Sequence, residues 1–173
     1  FKMTKKITIA IDAMGGENSP KKNIEGLNMF LKRNKRNDFF IHLYGNEERI
    51  KKELLLVNAS TDKIKIFHSE GIVSDEESPM KAVKSSKNTS MWNSVSAQVD
   101  GNADISLSAG NTGVLLVISR MILKMMKEVS KPALAGLWPS KKGMTVVLDL
   151  GANIECDEKN LVDFSEMGSA LFK

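Results

Sequence analysis

Apolar and polar positions in this chain follow two rhythms, a strand-like period of two and a helix-like period between three and four. Residues 6–11 read as a strand ending in the turn Asp12-Ala13-Met14-Gly15-Gly16, and Ser19-Pro20 reads as a helix opening, with Ser at the cap. Ile24, Leu27, Met29, Phe30 and Leu31 give the next helix its buried face. Residues 39–45 form a second strand, with His42 inside it as a structural residue, and residues 47–57 a helix with Ile50, Leu54 and Val57 on one side. Residues 63–68 form a third alternating strand ending in His68, a surface imidazole nearer the edge where ligands bind. An acidic loop over 70–77, turned to solvent, precedes Ser78-Pro79, a further helix opening. Lys81, Lys84 and Lys87 then recur every third residue on one helical face, and Asn88-Thr89-Ser90 caps a helix over 91–99.

The pattern sharpens at 103–113. Residues 103–108 alternate as a half-buried strand, and the turn Ala109-Gly110-Asn111-Thr112-Gly113 leads directly into residues 114–126, apolar almost all round. Such a helix is expected to be nearly enclosed by protein, with Lys124 and Lys127 at the end where the helix dipole favours cations. Residues 132–138 form a strand, and residues 144–150 are apolar enough for a central parallel strand. That strand is expected to deliver Asp149, Gly151, Ala152 and Asn153 to the same sheet edge as Asp12 and Asn111. A last helix starts at Lys159, with Leu161, Phe164, Met167 and Leu171 on one face. This alternation predicts an α/β protein of three layers, α/β/α, with a mostly parallel Rossmann-like sheet and helices on both faces.

The turns carry the chemistry. A helix N-terminus offers amide N–H groups without intrahelical partners and a partial positive charge, which suits a phosphate or a developing oxyanion. Gly110 and Gly113 let backbone approach a ligand, while Asn111 and Thr112 add short polar side chains; an ordinary capped turn explains the same residues equally well. Asp12 stands at a strand's carboxyl end, where open α/β sheets bind ligands, or it braces its own turn. Lys87 and Ser90 are further candidate ligand contacts, against a solvated lysine face. There is no G-x-G-x-x-G after the first strand to argue for a dinucleotide, and no G-x-S-x-G elbow to argue for a hydrolase.

Length and composition narrow the setting. The 173 residues suit one domain over 3–173, with Phe1-Lys2 ahead of Met3 as a cloning remnant. The net charge of +4 comes from scattered lysines rather than a basic patch, which argues against nucleic acid and leaves an acidic protein or a phosphorylated small molecule as the natural partner. The single cysteine, Cys156, excludes an internal disulfide and a Cys-cluster metal site and fits the cytoplasm. The longest apolar run, 114–126, is too short to span a bilayer, which takes about 20 residues.

Four segments together resemble the phosphate acyltransferase family of bacterial phospholipid synthesis: Ile11-Asp12-Ala13-Met14-Gly15-Gly16, Lys87-Asn88-Thr89-Ser90-Met91, Ser108-Ala109-Gly110-Asn111-Thr112-Gly113 and Leu148-Asp149-Leu150-Gly151-Ala152-Asn153. Pro132-Ala133-Leu134 and Met167-Gly168-Ser169 fit the same pattern. The family usually has Asp-His after the double glycine, where this chain has Glu17-Asn18, so no role of that histidine carries over. The family's chain is about twice as long, so this one resembles its amino-terminal half. The resemblance implies an isocitrate/isopropylmalate dehydrogenase-like or phosphotransacetylase-like fold, a homodimer, no cofactor, no metal, and a cytoplasmic enzyme associating peripherally with the membrane.

It also implies a reaction in which inorganic phosphate attacks the thioester of acyl-acyl carrier protein, giving acyl phosphate for phospholipid synthesis. On that reading Asn111, Asn153 and Lys87 are the catalytic candidates, with Asn153 or the Gly151-Ala152 amides as oxyanion donors. Asp12, Gly15, Gly16, Ser90, Ser108, Gly110, Thr112, Gly113, Asp149 and Gly151 are expected to bind substrate. The competing expectations are a short-chain enzyme acting on coenzyme A thioesters, and an inactive fragment that only binds carrier protein.

Overall fold

The computed structural model describes residues 6–74, 84–141 and 143–172. The chain divides into two compact units, Phe1–Leu123 and Lys124–Lys173, each described by itself.

The first unit is built on four parallel strands in the order β3-β2-β1-β4. They are β1 (Ile7–Asp12), β2 (Phe39–Gly45), β3 (Ile64–His68) and β4 (Ile105–Ser108). Register places Asp12 opposite Tyr44 on one side and Ser108 on the other, so the carboxyl ends of β1 and β4 finish level. The period of two sorts the side chains. Ile9, Ile11, Ile41 and Leu43 point to a core shared with Ile24 and Leu27 of α1 (Lys21–Arg33) and with Ile50 and Leu54 of α2 (Glu47–Leu56). Ala10 and Tyr44 point the other way, against Ala97 of α3 (Ser90–Val99). Helices therefore cover both faces, as the alternation of elements predicts.

Local chemistry sets the helix starts. Asn46 caps α2 by accepting the Arg49 N–H at 2.9 Å, and Thr89 caps α3 by accepting the Trp92 N–H at 3.2 Å. Ser19 does not cap α1 as expected. Pro20 takes that position, and the Ser19 hydroxyl instead donates to the Met14 carbonyl at 2.5 Å, tying down the first glycine turn. His42 packs its ring 4.9 Å from that of Phe67, and partial burial, helped by Lys65, holds its pKa below the ordinary imidazole value. His68 accepts the Glu47 N–H at 3.4 Å at the start of α2. The acidic residues 75–77, Ser78-Pro79 and Lys81 lie outside the described residues.

The helix after the central turn, α4 (Thr112–Leu123), departs from expectation. Within the first unit it buries only Val114 and Ile118, against Met91 and Val95 of α3, and leaves Met121 and Leu123 exposed. It ends at Leu123 rather than 126, since Lys124 adopts a left-handed φ of +61°. Among the described residues no helix is long and apolar enough to cross a membrane.

The second unit holds β5 (Gly136–Ser140), β6 (Gly143–Val147) and α5 (Glu158–Phe172). The expected central parallel strand over 144–150 is instead one arm of an antiparallel hairpin, Gly136 pairing with Val147 and Ser140 with Gly143. The turn is too short for a parallel crossover, and Gly143 closes it at φ +124°. Asp157 and Asn160 start α5 as a reciprocal cap, each side-chain oxygen accepting the other's N–H, at 2.8 and 3.2 Å.

Candidate functional site

In the first unit the carboxyl ends of β1 and β4 carry a buried polar chain. Asp12 is 1% exposed. Its Oδ2 accepts the Ser108 hydroxyl at 2.7 Å, and its Oδ1 accepts the Met14 N–H at 3.2 Å. The Ser108 oxygen in turn accepts the Gly110 N–H at 3.1 Å. Burial pushes the Asp12 carboxyl above the ordinary range, partly opposed by the nearby Ser90 hydroxyl, by the bond from Ser108 and by the Met14 and Gly15 backbone. Ser90 Oγ, itself 1% exposed, lies near enough to Asp12 to favour its charged form but outside hydrogen-bond geometry.

Two glycine turns meet above this chain. A Cβ on Gly15 would lie 2.5 Å from Asp12 Oδ2, 2.8 Å from Ser108 Oγ and 2.9 Å from the Gly110 nitrogen. One on Gly110 would reach 3.3 Å from the Gly15 Cα, and one on Gly16, whose φ is +85°, would reach 2.7 Å from the Ala109 carbonyl oxygen. These glycines therefore serve the approach of one turn to the other. Asn23 adds a brace that the sequence reading missed, its amide donating to the Ala13 and Gly15 carbonyls at 2.9 Å each.

The free donors are narrower than the sequence suggested. Gly110 gives its N–H to Ser108, and Asn111 accepts the Val114 N–H at 3.1 Å while its carbonyl takes the Leu115 N–H at 2.9 Å. Asn111 is thus the cap of α4. The N–H groups of Thr112 and Gly113 meet no acceptor among the described residues and stand at the positive end of α4. Lys87 is exposed in the turn that leads into α3.

Asp149, Gly151 and Asn153 lie together in the second unit. Asp149 Oδ1 accepts the Leu134 N–H at 2.9 Å, and its Oδ2 accepts both the backbone N–H and the side-chain amide of Asn153 at 2.8 Å. Partial burial acts to raise its pKa, but the donors from Leu134, Asn153 and Ala152 outweigh it and hold the carboxyl below the ordinary value. The Asn153 amide also donates to the Pro132 carbonyl at 2.8 Å. Both amide hydrogens are then in use, and Asn153 presents its Oδ1, an acceptor, rather than the oxyanion donor expected of it. Gly151 takes a φ of +76°, with no neighbour where a Cβ would stand.

A parallel sheet with helices on both faces and glycine turns at its carboxyl edge defines the first unit as an α/β protein of the parallel-sheet class. The EutD phosphotransacetylase from Staphylococcus aureus superposes with a TM-score of 0.63 over 92% of this chain and 50% of that one, at 15% identity, which establishes likeness of fold. A family described as "Fatty acid synthesis protein" matches residues 7–173, and the chain belongs to it. Among similar proteins are the phosphate acyltransferases of Pelagibacter ubique, 50% identical over 99% of this chain and 50% of its own length, and of Bradyrhizobium diazoefficiens, 39% identical over 98% and 48%. This chain spans about half the length of the curated relatives it matches.

Proposed function

We propose that this chain takes part in transfer of a fatty acyl group from acyl-acyl carrier protein to inorganic phosphate. The observation that carries this reading is the pair of N–H groups at Thr112 and Gly113, which meet no acceptor among the described residues, in a chain whose relatives are named phosphate acyltransferases. A phosphate oxygen attacks the thioester carbonyl, a C–O bond forms, the C–S bond breaks, and the proton of hydrogen phosphate ends on the departing thiol. Phosphate is already a nucleophile at neutral pH, so the protein's work is to strip it of water and hold it in line.

Thr112 and Gly113 bind its oxygens, and Lys87 supplies a positive charge. Asp12 does not touch phosphate; through Ser108 it fixes the Gly110 N–H and with it the path of the turn.

The test uses Thr112→Pro. Thr112 is the first helical residue, where proline is tolerated; the change removes the N–H in question together with the hydroxyl, and Thr112→Ala, which removes the hydroxyl but keeps the N–H, is the control. Release of carrier thiol from acyl-acyl carrier protein is measured against phosphate concentration. A raised half-saturation for phosphate in a variant that melts like the parent supports the reading, and unchanged phosphate dependence overturns it.

A further inference from the structure

The start of α3 is held in place by its backbone, the Ser90 N–H giving to the Gly71 carbonyl at 3.1 Å and the Thr89 hydroxyl to the Ser86 carbonyl at 2.6 Å. Its first two side chains then face the glycine turns. Met91 packs on the second turn, where a Cβ on Gly110 would stand 2.9 Å from the Met91 Cε. The Ser90 hydroxyl lies beside Asp12, sealed from solvent, and meets no hydrogen-bond partner among the described residues. A buried hydroxyl left unpaired is costly, and the carboxylate beside it is the acceptor that removes the cost.

The groups that act on Asp12 are this hydroxyl, Ser108 of β4 and the N–H groups of Met14 and Gly15; none of them titrates or carries a charge. The ionised form therefore rests on neutral donors alone. Ionised, Asp12 accepts from Ser108 and leaves the Ser108 oxygen to accept the Gly110 N–H. Protonated, it becomes a donor and competes with Gly110 for that oxygen. We infer that Ser90 is a positioning residue for the turn at the head of α4: acting through Asp12, its hydroxyl keeps the chain Asp12–Ser108–Gly110 running in one direction, and with it the aim of the Thr112 and Gly113 N–H groups. Ser90, expected from sequence to bind substrate, then acts on it only through the turn. The inference rests on the acyl-transfer reading for what the turn holds, and not for the chain of hydrogen bonds.

The experiment follows two NMR signals across acid and neutral pH in the 173-residue chain, the side-chain carboxyl carbon of Asp12 and the amide proton of Gly110. In the parent both report one midpoint. Ser90→Ala removes a donor to the charged form, so the midpoint moves to higher pH in both signals. Ser94→Ala is the control: Ser94 is equally buried on the same helix but gives its hydroxyl to the Met91 carbonyl at 2.9 Å, and its loss leaves the midpoint in place. An Asp12 midpoint unchanged by Ser90→Ala overturns the inference, as does a Gly110 signal that does not follow Asp12 or an equal shift in Ser94→Ala. In thiol release, Ser90→Ala needs more phosphate for half-maximal rate at an unchanged maximal rate, and an unchanged phosphate requirement overturns the positioning role. A midpoint shift in a chain without phosphate-dependent release leaves the hydrogen-bond chain standing while the acyl-transfer reading fails, and release without a midpoint shift does the reverse.

Discussion

Asp12 and Asp149 begin from similar sequence: each ends an apolar run, each precedes a glycine-bearing turn, and each accepts backbone N–H groups from its surroundings. Their environments drive them apart. Asp12 is sealed beneath two touching glycine turns, and burial dominates its titration. Asp149 is half-buried, and the burial that would raise its pKa is outweighed by the donors around it taken together. A carboxylate at the end of an apolar run is therefore not one kind of feature. Whether it locks a turn by packing or by charge depends on what covers it, and substitutions should separate the two.

The largest effect is expected where packing decides. Gly15→Ala places a methyl carbon against the Asp12 carboxylate, the Ser108 hydroxyl and the backbone nitrogen of Gly110 at once, and the last of these cannot rotate away. Denaturant unfolding should show a loss of about 3 kcal/mol, the upper part of the range for overpacking. Gly151→Ala meets open space and carries only the backbone cost of its positive φ, about 1 kcal/mol. Equal losses would mean that the two turns are not in contact in solution.

Next comes charge. Asp149→Asn replaces one acceptor oxygen by an amide that faces donors from Leu134 or Asn153, and a loss of about 2 kcal/mol follows from breaking charge-assisted bonds at a half-buried site. Its folded pKa lies below the ordinary 3.8, so its stabilisation is present above that value and is lost as pH falls through the folded pKa. Asp12 has the opposite sign. Its folded pKa is raised, so its favourable contribution is complete below 3.8 and is lost as pH rises through the folded value. In thermal melts across acid pH, Asp12→Asn should remove a decline in stability on the rising side of 3.8, and Asp149→Asn should remove a decline on the falling side. Identical pH curves for the two variants would refute the contrast.

Much of the first unit was legible because its signals are local. The apolar run over 39–45 and the spacing of Ile50, Leu54 and Val57 depend on neighbours a few residues away, and these two elements appear within one residue of their expected bounds. What sequence could not reveal is what covers a face. Residues 144–150 are apolar enough for a buried parallel strand, yet Met144 lies 53% exposed on a hairpin. Ile105 and Leu107 alternate as expected, but it is Ser106 and Ser108 that turn to the better covered side of the edge strand. The candidate site divides the same way. The glycines at 15 and 110 were visible as turn formers, but their mutual contact joins segments almost a hundred residues apart. The type of Asn153 suggested a donor, and only its partners show that both hydrogens are spent.

The smallest effect tests the residue that bridges structure and ligand. Asn111 caps α4 through the Val114 N–H, so Asn111→Ala should cost about 1 kcal/mol, as loss of a cap typically does. That loss alone does not separate a cap from a phosphate ligand. Asn111→Asp does, because a carboxylate keeps the cap and favours the helix dipole while repelling a dianion placed at Thr112 and Gly113. The Asp variant should melt at or above the parent temperature and yet require more phosphate for half-maximal thiol release. If it melts normally and its phosphate dependence is unchanged, the α4 N-terminus is a capped turn and nothing more, and the phosphate must be held by other groups.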